Sequence, residues 1–119
     1  MQNEYPKSEP FFCDAKNGPG KRSAVRPTSV NELRPGDIDI IAAMGDSITA
    51  GNGLVAGSIL DVAIENRGMS WSIGGQATWR RFVTLPNILK EFNPQLYGYS
   101  LGDSLSSDRA SKSIFHCHH

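Results

Sequence analysis

The sequence shows no excess of charge of either sign. Its twelve Lys and Arg residues balance twelve Asp and Glu residues in a chain of 119 residues. Proteins that bind nucleic acids or anionic membranes electrostatically usually carry a basic excess. The balance therefore argues against a nucleic-acid partner and favours a small or neutral one.

Long apolar runs are absent as well. No window reaches the roughly 18 uninterrupted apolar residues of a membrane span. The opening stretch MQNEYPKSEPFF lacks the apolar centre of a signal peptide. As it stands, the sequence predicts a soluble chain without a secretion signal.

Cysteine and histidine are scarce. Cys13 and Cys117 lie near opposite ends, so they could close one large loop, pair with residues of a longer parent chain, or stay reduced. The histidines all lie in the final stretch IFHCHH, together with Cys117. These are ligand types for zinc or copper, but residues adjacent in the chain cannot easily all face one ion. We expect adventitious metal binding there rather than a metal site.

The length fits one modest domain or a piece of one, below the roughly 200 residues of a complete α/β hydrolytic enzyme. Residues 1–28 are rich in Pro, Gly, Lys and Ser and lack periodicity, which predicts an extended N-terminal arm. Phe11 and Phe12 are candidates for pinning this arm to the body. Residues 29–112 form the predicted domain portion, and residues 113–119 a divergent tail.

A turn followed by a strand is predicted early in the domain portion. Ser29 and Glu32 have the spacing of a capping box, which predicts a single helical turn. Pro35 and Gly36 suit the centre of a type II turn. The following run IDIIAAM, residues 38–44, is apolar and β-branched without polar alternation. It predicts a strand buried on both faces of a parallel sheet.

A short amphipathic helix is predicted in TLPNILKEF. Thr84 can cap it, Pro86 suits its first turn, and Asn93 with Pro94 can stop it. Its apolar residues recur with helical spacing at Leu85, Ile88, Leu89 and Phe92. The next run, LYGYSL, is a possible second strand. The order arm, strand, helix, strand favours an α/β layer.

The triplet Gly-Asp-Ser occurs twice, at Ser47 and at Ser104. A serine nucleophile needs an exposed, rigid corner, a base for its proton and donors for an oxyanion. Ser47 follows the predicted strand and precedes small residues that suit a helix start, where its own N–H is free to serve an oxyanion. The plainer alternative is that Ser47 merely caps a helix. Ser104 lies in a polar run with no apolar face, and we expect no catalytic role for it.

Two further motifs allow other interpretations. GNGLVAG, residues 51–57, has a phosphate-loop spacing, but its glycines begin too late after the strand and no Lys-Ser/Thr pair follows. Nucleotide binding is therefore disfavoured. WSIGGQATW, with Trp71 and Trp79, suits either a ligand platform or a hairpin anchored by an aromatic side chain. We favour the anchor.

The stretch PTSVNELRPGDIDIIAAMGDSITAGNG resembles the first block of phospholipase B-type enzymes of the GDSL lipase (SGNH hydrolase) family. The similarity continues through ILDVAIENRGMSWSIGGQATWRRFVTLPNILKEFNPQLYGYS, from about Cys13 to about Lys112. The resemblance implies a three-layer α/β/α fold, of which this chain holds an incomplete part. It also implies hydrolysis of acyl esters in phospholipids and lysophospholipids through a serine acyl-enzyme, without metal or cofactor. Ser47 would be the nucleophile, and its backbone N–H would contribute to the oxyanion hole.

The chain departs from this family in the rest of its machinery. The family needs a further Gly, an Asn and a late Asp-x-x-His pair, and none can be placed. In IGGQ, Gln76 stands where Asn is needed and lies too near Ser47, while Asp108 is eight residues before His116. These departures predict a truncated or alternatively spliced product, or an incorrectly predicted gene. It is either an impaired esterase or a catalytically silent binding or regulatory fragment.

The resemblance also carries an expectation about location. Relatives in this family are typically secreted or held at the outer membrane surface. This chain would then meet a membrane surface through its lipid substrate.

Overall fold

The computed structural model describes residues 3–105. One α-helix, α1, spans Leu85–Phe92, and two short strands, β1 (Ile64–Glu65) and β2 (Ser104–Leu105), pair antiparallel. Short 3-10 helices lie at Val30–Glu32, Pro35–Asp37, Leu60–Ala63 and Arg67–Met69. Most of the described chain is therefore turns and extended segments. The three-layer α/β/α fold stays a prediction.

Helix α1 confirms the helix predicted from the sequence. The Thr84 side chain accepts a hydrogen bond from the backbone N–H of Asn87, so it caps the first turn. The buried face differs from the one expected, since Pro86 and Leu89 are buried whereas Leu85 is 44% exposed. The Thr84 hydroxyl also donates to the Gly74 carbonyl, which fixes how the helix meets the body.

The predicted strand at residues 38–44 is paired at one place. Ile40 bridges Tyr97 in parallel, with the Ile41 N–H donating to the Tyr97 carbonyl at 3.0 Å. Burial on both faces was a wrong prediction, because Ile40 is 52% exposed and Met44 95% exposed. Within residues 3–105 this segment has one strand-like neighbour, and Ile38, Ile41 and Ala43 are half-buried rather than buried.

The LYGYSL segment supplies that neighbour. Its Tyr97 faces Ile40, and its Ser100 bridges Gly74, again in parallel. The Gly75 N–H donates to the Ser100 carbonyl at 2.9 Å, and the Ser100 N–H donates to the Ile73 carbonyl at 2.8 Å. The segment thus lies between the stretch that leads to Ser47 and the double glycine of IGGQ.

The two turns predicted before residue 38 have different outcomes. The single helical turn after Ser29 is confirmed as Val30–Glu32, with Ser29 accepting from the Asn31 N–H. The type II turn is wrong: Pro35–Asp37 is a 3-10 turn, and Gly36 is not among the glycines with positive φ. A Cβ at Gly36 would lie 2.3 Å from the Arg22 backbone nitrogen. Glycine is therefore needed there for close packing of the arm.

The N-terminal arm packs against the body through an aromatic cluster. Phe11 makes edge contacts with Trp79 and Phe92, at ring-centroid distances of 5.3 and 5.8 Å. The Tyr5 ring lies 5.4 Å from Trp79, and the Arg80 guanidinium covers the same indole at 4.5 Å. Trp79 is only 3% exposed. Trp79 is therefore an anchor, as the sequence favoured.

A second attachment of the arm is electrostatic. Arg22 donates to both carboxylate oxygens of Asp39, at 2.6 and 3.1 Å. Asp37 accepts from the backbone N–H and the hydroxyl of Ser23. The Ser23 N–H lowers the pKa of Asp37, and the Arg22 hydrogen bond lowers the pKa of Asp39. Both carboxylates therefore favour folding in their charged form.

We expect this attachment to weaken in acid. A carboxylate whose pKa is lower folded than unfolded contributes stability fully above its unfolded pKa, here near 3.8, and loses it as the pH falls through the folded pKa. The temperature midpoint of unfolding, measured between pH 7 and pH 3, should fall once the pH is below about 4. Asp37→Asn should flatten that drop, whereas Asp103→Asn, at an exposed carboxylate outside these contacts, should not. Equal pH profiles for Asp37→Asn and the parent would contradict the assignment.

No helix within residues 3–105 combines the length and apolar character needed to cross a membrane. Cys13 is exposed and has no disulfide partner within the described residues. Cys117, the predicted tail at 113–119 and the predicted domain boundary at residue 112 lie outside the described residues.

Candidate active site around Ser47

Ser47 lies on a tight hydrogen-bonded turn and its side chain is exposed. The Ala50 N–H donates to the Asp46 carbonyl at 3.0 Å, and the Asn52 N–H donates to the Ser47 carbonyl at 2.9 Å. The Asp46 carboxylate accepts from the Ile48 N–H at 2.9 Å. The helix expected after Ser47 does not form within these residues, because the chain turns away after this single turn.

Two glycines cause that change of direction. Gly51 and Gly53 have φ values of +71° and +67°, in the left-handed region that side chains disfavour. Their N–H groups donate to the carbonyls of Ile48 and Ile64. Because these two N–H groups already donate to carbonyls of the chain, they are not free to bind a phosphate, which argues against the phosphate-binding interpretation of GNGLVAG.

Hydrogen bonds from the following segment hold the Ser47 turn in place. Ser70, with 0% exposure, donates its hydroxyl to the Thr49 carbonyl at 2.7 Å. The Asn66 N–H donates to the Gly51 carbonyl at 3.2 Å. The turn is thus fastened at both its middle and its end, which gives Ser47 the rigid corner that a nucleophile needs.

An open cleft of about 570 Å³ lies beside Ser47. Its walls come from the Ser47 turn, from β1 and the residues after it, and from Ile73 and Ser100 at the parallel bridge between Gly74 and Ser100. The lining residues are Ala43, Met44, Gly45, Asp46, Ser47, Thr49, Ala50, Asn52, Glu65, Arg67, Ile73 and Ser100. Among residues 3–105, neither the Ser47 hydroxyl nor its N–H has a hydrogen-bond partner. Both groups are therefore available to a molecule bound in the cleft.

The sequence interpretation missed an ion pair in the cleft wall. Arg67 Nε donates to Glu65 Oε2 at 2.7 Å, and Arg67 Nη2 donates to the same oxygen. Their side chains are only 17% and 9% exposed, respectively. The sequence signal was the opposite charges two residues apart in IENR, where Glu65 ends β1 and Arg67 begins the 3-10 helix Arg67–Met69. The pair places one positive and one negative charge beside the nucleophile candidate.

The other sequence candidates do not lie in the cleft wall. Ser104 lies in β2 opposite Glu65, and its hydroxyl oxygen is buried without a hydrogen-bond partner among the described residues. Gln76 is not among the lining residues, and its side-chain oxygen is likewise buried. The two Gly-Asp-Ser triplets therefore have different surroundings, one exposed beside a cleft and one within a strand pair.

The residues that could complete a triad or bind a metal are not in the described part of the chain. Asp108, His116 and the His/Cys tail lie outside the described residues. Among residues 3–105, no group of three or more His, Cys, Asp or Glu is arranged to hold a metal ion.

An exposed serine on a braced turn beside an open cleft meets the local part of what a serine nucleophile requires, apart from a base for its proton. The chain is similar to mouse "Phospholipase B1, membrane-associated", with 54% identity over 104 residues, or 85% of this chain and 7% of that protein. The rat and human proteins of the same name match over 78 residues at 56% and 54% identity, covering 64% of this chain and 5% of each protein. No protein-family model matches the chain, and no solved structure matches it.

These identities show that the chain is related to phospholipase B1 proteins. It spans only 5 to 7% of the length of the three relatives.

Proposed function

We propose that the chain is part of a phospholipase B-like serine esterase of the GDSL lipase type, with Ser47 as its nucleophile. The observation that carries the proposal is the unpaired hydroxyl and N–H of Ser47 at an open cleft. The relatives add support, because their names describe phospholipases. The proposed substrates are acyl esters of phospholipids and lysophospholipids.

The chemistry follows from the two free groups of Ser47. Its Oγ attacks the ester carbonyl, the carbonyl oxygen becomes an oxyanion, and the alcohol part of the lipid leaves with a proton. The Ser47 N–H donates to the oxyanion, which stabilises the charge that develops in the transition state. Water then attacks the acyl-serine, releasing a fatty acid and restoring the hydroxyl.

The hydroxyl proton must go to a base. No histidine occurs between residues 3 and 105, and the three histidines of the chain lie between 116 and 119. A histidine base for Ser47 would therefore have to come from outside the described residues. This requirement favours a second candidate function, a catalytically silent binding or regulatory fragment, in which the cleft binds a lipid without cleaving it.

The proposed place of action is a lipid surface. The three relatives are named membrane-associated. We extend this to the present chain as contact through its lipid substrate, with secretion or an outer membrane surface as the setting that the family resemblance suggests.

A fluorophosphonate probe tests the nucleophile. We expect the full chain to be labelled at Ser47, identified by peptide mass spectrometry, and Ser47→Ala to reduce labelling to background, because the attacking oxygen is gone. Ser104→Ala is the matched control, since it removes the serine of the other Gly-Asp-Ser triplet. Its labelling should equal that of the parent.

Turnover of a short-chain ester separates the two candidate functions. Labelling with turnover supports the esterase. A folded chain with neither labelling nor turnover would overturn the esterase proposal for this chain and favour the silent fragment. Loss of labelling in a folded Ser104→Ala variant would contradict the choice of Ser47.

A further inference from the structure

Residues 53–64 form a loop that begins and ends at the wall of the Ser47 cleft. The Gly53 N–H donates to the Ile64 carbonyl at 3.2 Å, and Asn52 bridges Glu65 just below this closure. Asn52 and Glu65 are themselves lining residues of the cleft. The loop, named here the apolar loop, is therefore a direct extension of the cleft wall.

The outer surface of the apolar loop is aliphatic. Ile59 is 90% and Leu60 85% exposed, values that leave nearly the whole side chain in contact with solvent. Ile48, next to the nucleophile candidate, is 75% exposed. The further exposed aliphatic residues of the loop are Leu54, Val55 and Val62. Single exposed aliphatic residues are ordinary, but a group of them beside a cleft indicates a contact surface.

The charge pattern of the loop favours an uncharged partner. Residues 53–64 contain no Lys, Arg, His or Glu, and Asp61 is their one charged residue. Its Oδ2 accepts from the Gly57 N–H and from both the N–H and the hydroxyl of Ser58. The carboxylate is thus engaged within the loop rather than turned to a partner. A surface of this kind complements an uncharged apolar phase and offers nothing to an anionic one.

We propose that the apolar loop is a lipid-contacting surface that seats the Ser47 cleft on a neutral phospholipid aggregate. The inference rests on the proposed function, since it supplies the location of that site's substrate. Apolar side chains that bind at a membrane interface lie about 5–10 Å into the boundary between headgroups and acyl chains. The ester bonds of a phospholipid lie at this boundary, so Ile59 and Leu60 in the lipid would hold the cleft at ester depth.

Binding of the full chain to phosphatidylcholine vesicles, measured by co-sedimentation, tests this inference. We expect the double variant Ile59→Ser/Leu60→Ser to bind at least about tenfold more weakly, because two aliphatic side chains no longer enter the lipid. The control is Val25→Ser/Val30→Ser, which changes two residues that are 81% and 84% exposed in and just after the N-terminal arm. It should bind like the parent. Added anionic lipid or salt should change the parent's binding little, because the loop has no cation.

Tryptophan fluorescence provides a second measurement, in which lipid contact produces a new signal instead of a loss of binding. In Ile59→Trp, tryptophan emission should shift to shorter wavelength when vesicles are added, beyond any shift of the parent. No such shift, no vesicle binding by the parent, or equal binding by the two double variants would overturn the inference.

Self-association must be measured by light scattering alongside vesicle binding. If Ile59→Ser/Leu60→Ser abolishes self-association and leaves vesicle binding unchanged, the loop contacts a second copy of the chain and the inference is wrong. Fluorophosphonate labelling of Ser47 in vesicle-free solution reports on the proposed function separately. Failure of the lipid contact and failure of the nucleophile are therefore distinguishable.

Discussion

Replacement of Trp79 by alanine is expected to lower the free energy of unfolding by about 3–5 kcal/mol. The indole is 3% exposed and contacts the rings of Tyr5, Phe11 and Phe12. The buried hydrophobic residues within residues 3–105 are few, namely Ile73, Trp79, Leu89 and Leu96. Trp79 is the largest of them, and its loss would leave a cavity between arm and body.

The expected loss from Trp79→Ala is large relative to the total free energy of unfolding of a domain. Domains of ordinary stability unfold at a cost of about 5–15 kcal/mol, so Trp79→Ala would remove a large share. Urea denaturation followed by circular dichroism measures the change. Trp71→Ala is the matched control, because Trp71 is 67% exposed and its loss should change stability by no more than about 0.5 kcal/mol. Equal destabilisation by the two variants would contradict the anchor.

The variant Trp79→Ala also tests how the N-terminal arm is attached to the body. Arg80 lies over the Trp79 ring and also donates to the Pro6 carbonyl at 3.3 Å. Removal of the indole should therefore release the first part of the arm before the body unfolds. Limited proteolysis should cut Trp79→Ala between residues 3 and 20 faster than the parent, under conditions where α1 stays helical by circular dichroism.

The sequence predicted best what is local. The helix at Leu85–Phe92 depends on Thr84 as a cap and on apolar spacing within eight residues, and both can be read along the chain. The sequence also favoured an aromatic anchor in WSIGGQATW, without indicating that Trp79 is buried and Trp71 is 67% exposed. Prediction from the sequence failed where the burial of a segment depends on contacts with segments far away in the chain. The segment 38–44 has the composition of a buried strand, but its exposure depends on which segments lie beside it.

The candidate site also combines local features that the sequence indicates with contacts between distant segments that it does not. Ser47 is a candidate because of its triplet, since a Gly-Asp-Ser turn is a short-range feature that the sequence alone shows. The helix predicted after it was wrong because Gly51 and Gly53 adopt positive φ and direct the chain back toward Ile64. The cleft wall was missed because Glu65 meets the Ser47 segment through pairing with Asn52, a contact that no periodicity along the chain reveals.

Arg67→Met is expected to destabilise the protein by about 3 kcal/mol, because it leaves the Glu65 carboxylate buried without its cation. Glu65 is 7% exposed, and it accepts from both Nε and Nη2 of Arg67. The double variant Glu65→Leu/Arg67→Met removes both charges and should recover most of the loss, since an apolar pair avoids the desolvation cost. Urea denaturation of the two variants and the parent measures both changes.

Arg67→Met should also slow fluorophosphonate labelling of Ser47. Glu65 bridges Asn52, and the Asn52 N–H donates to the Ser47 carbonyl, so an unpaired Glu65 disturbs the segment that braces the nucleophile. The matched control is Arg81→Met, which removes an exposed arginine that lies over Phe82 and away from the cleft lining. Its stability and labelling should stay close to those of the parent.

If the double variant Glu65→Leu/Arg67→Met is as unstable as Arg67→Met, the ion pair contributes more than mutual neutralisation and the desolvation argument is wrong. If it recovers stability but not labelling, the charges themselves, rather than the bracing of the turn, govern the reactivity of Ser47.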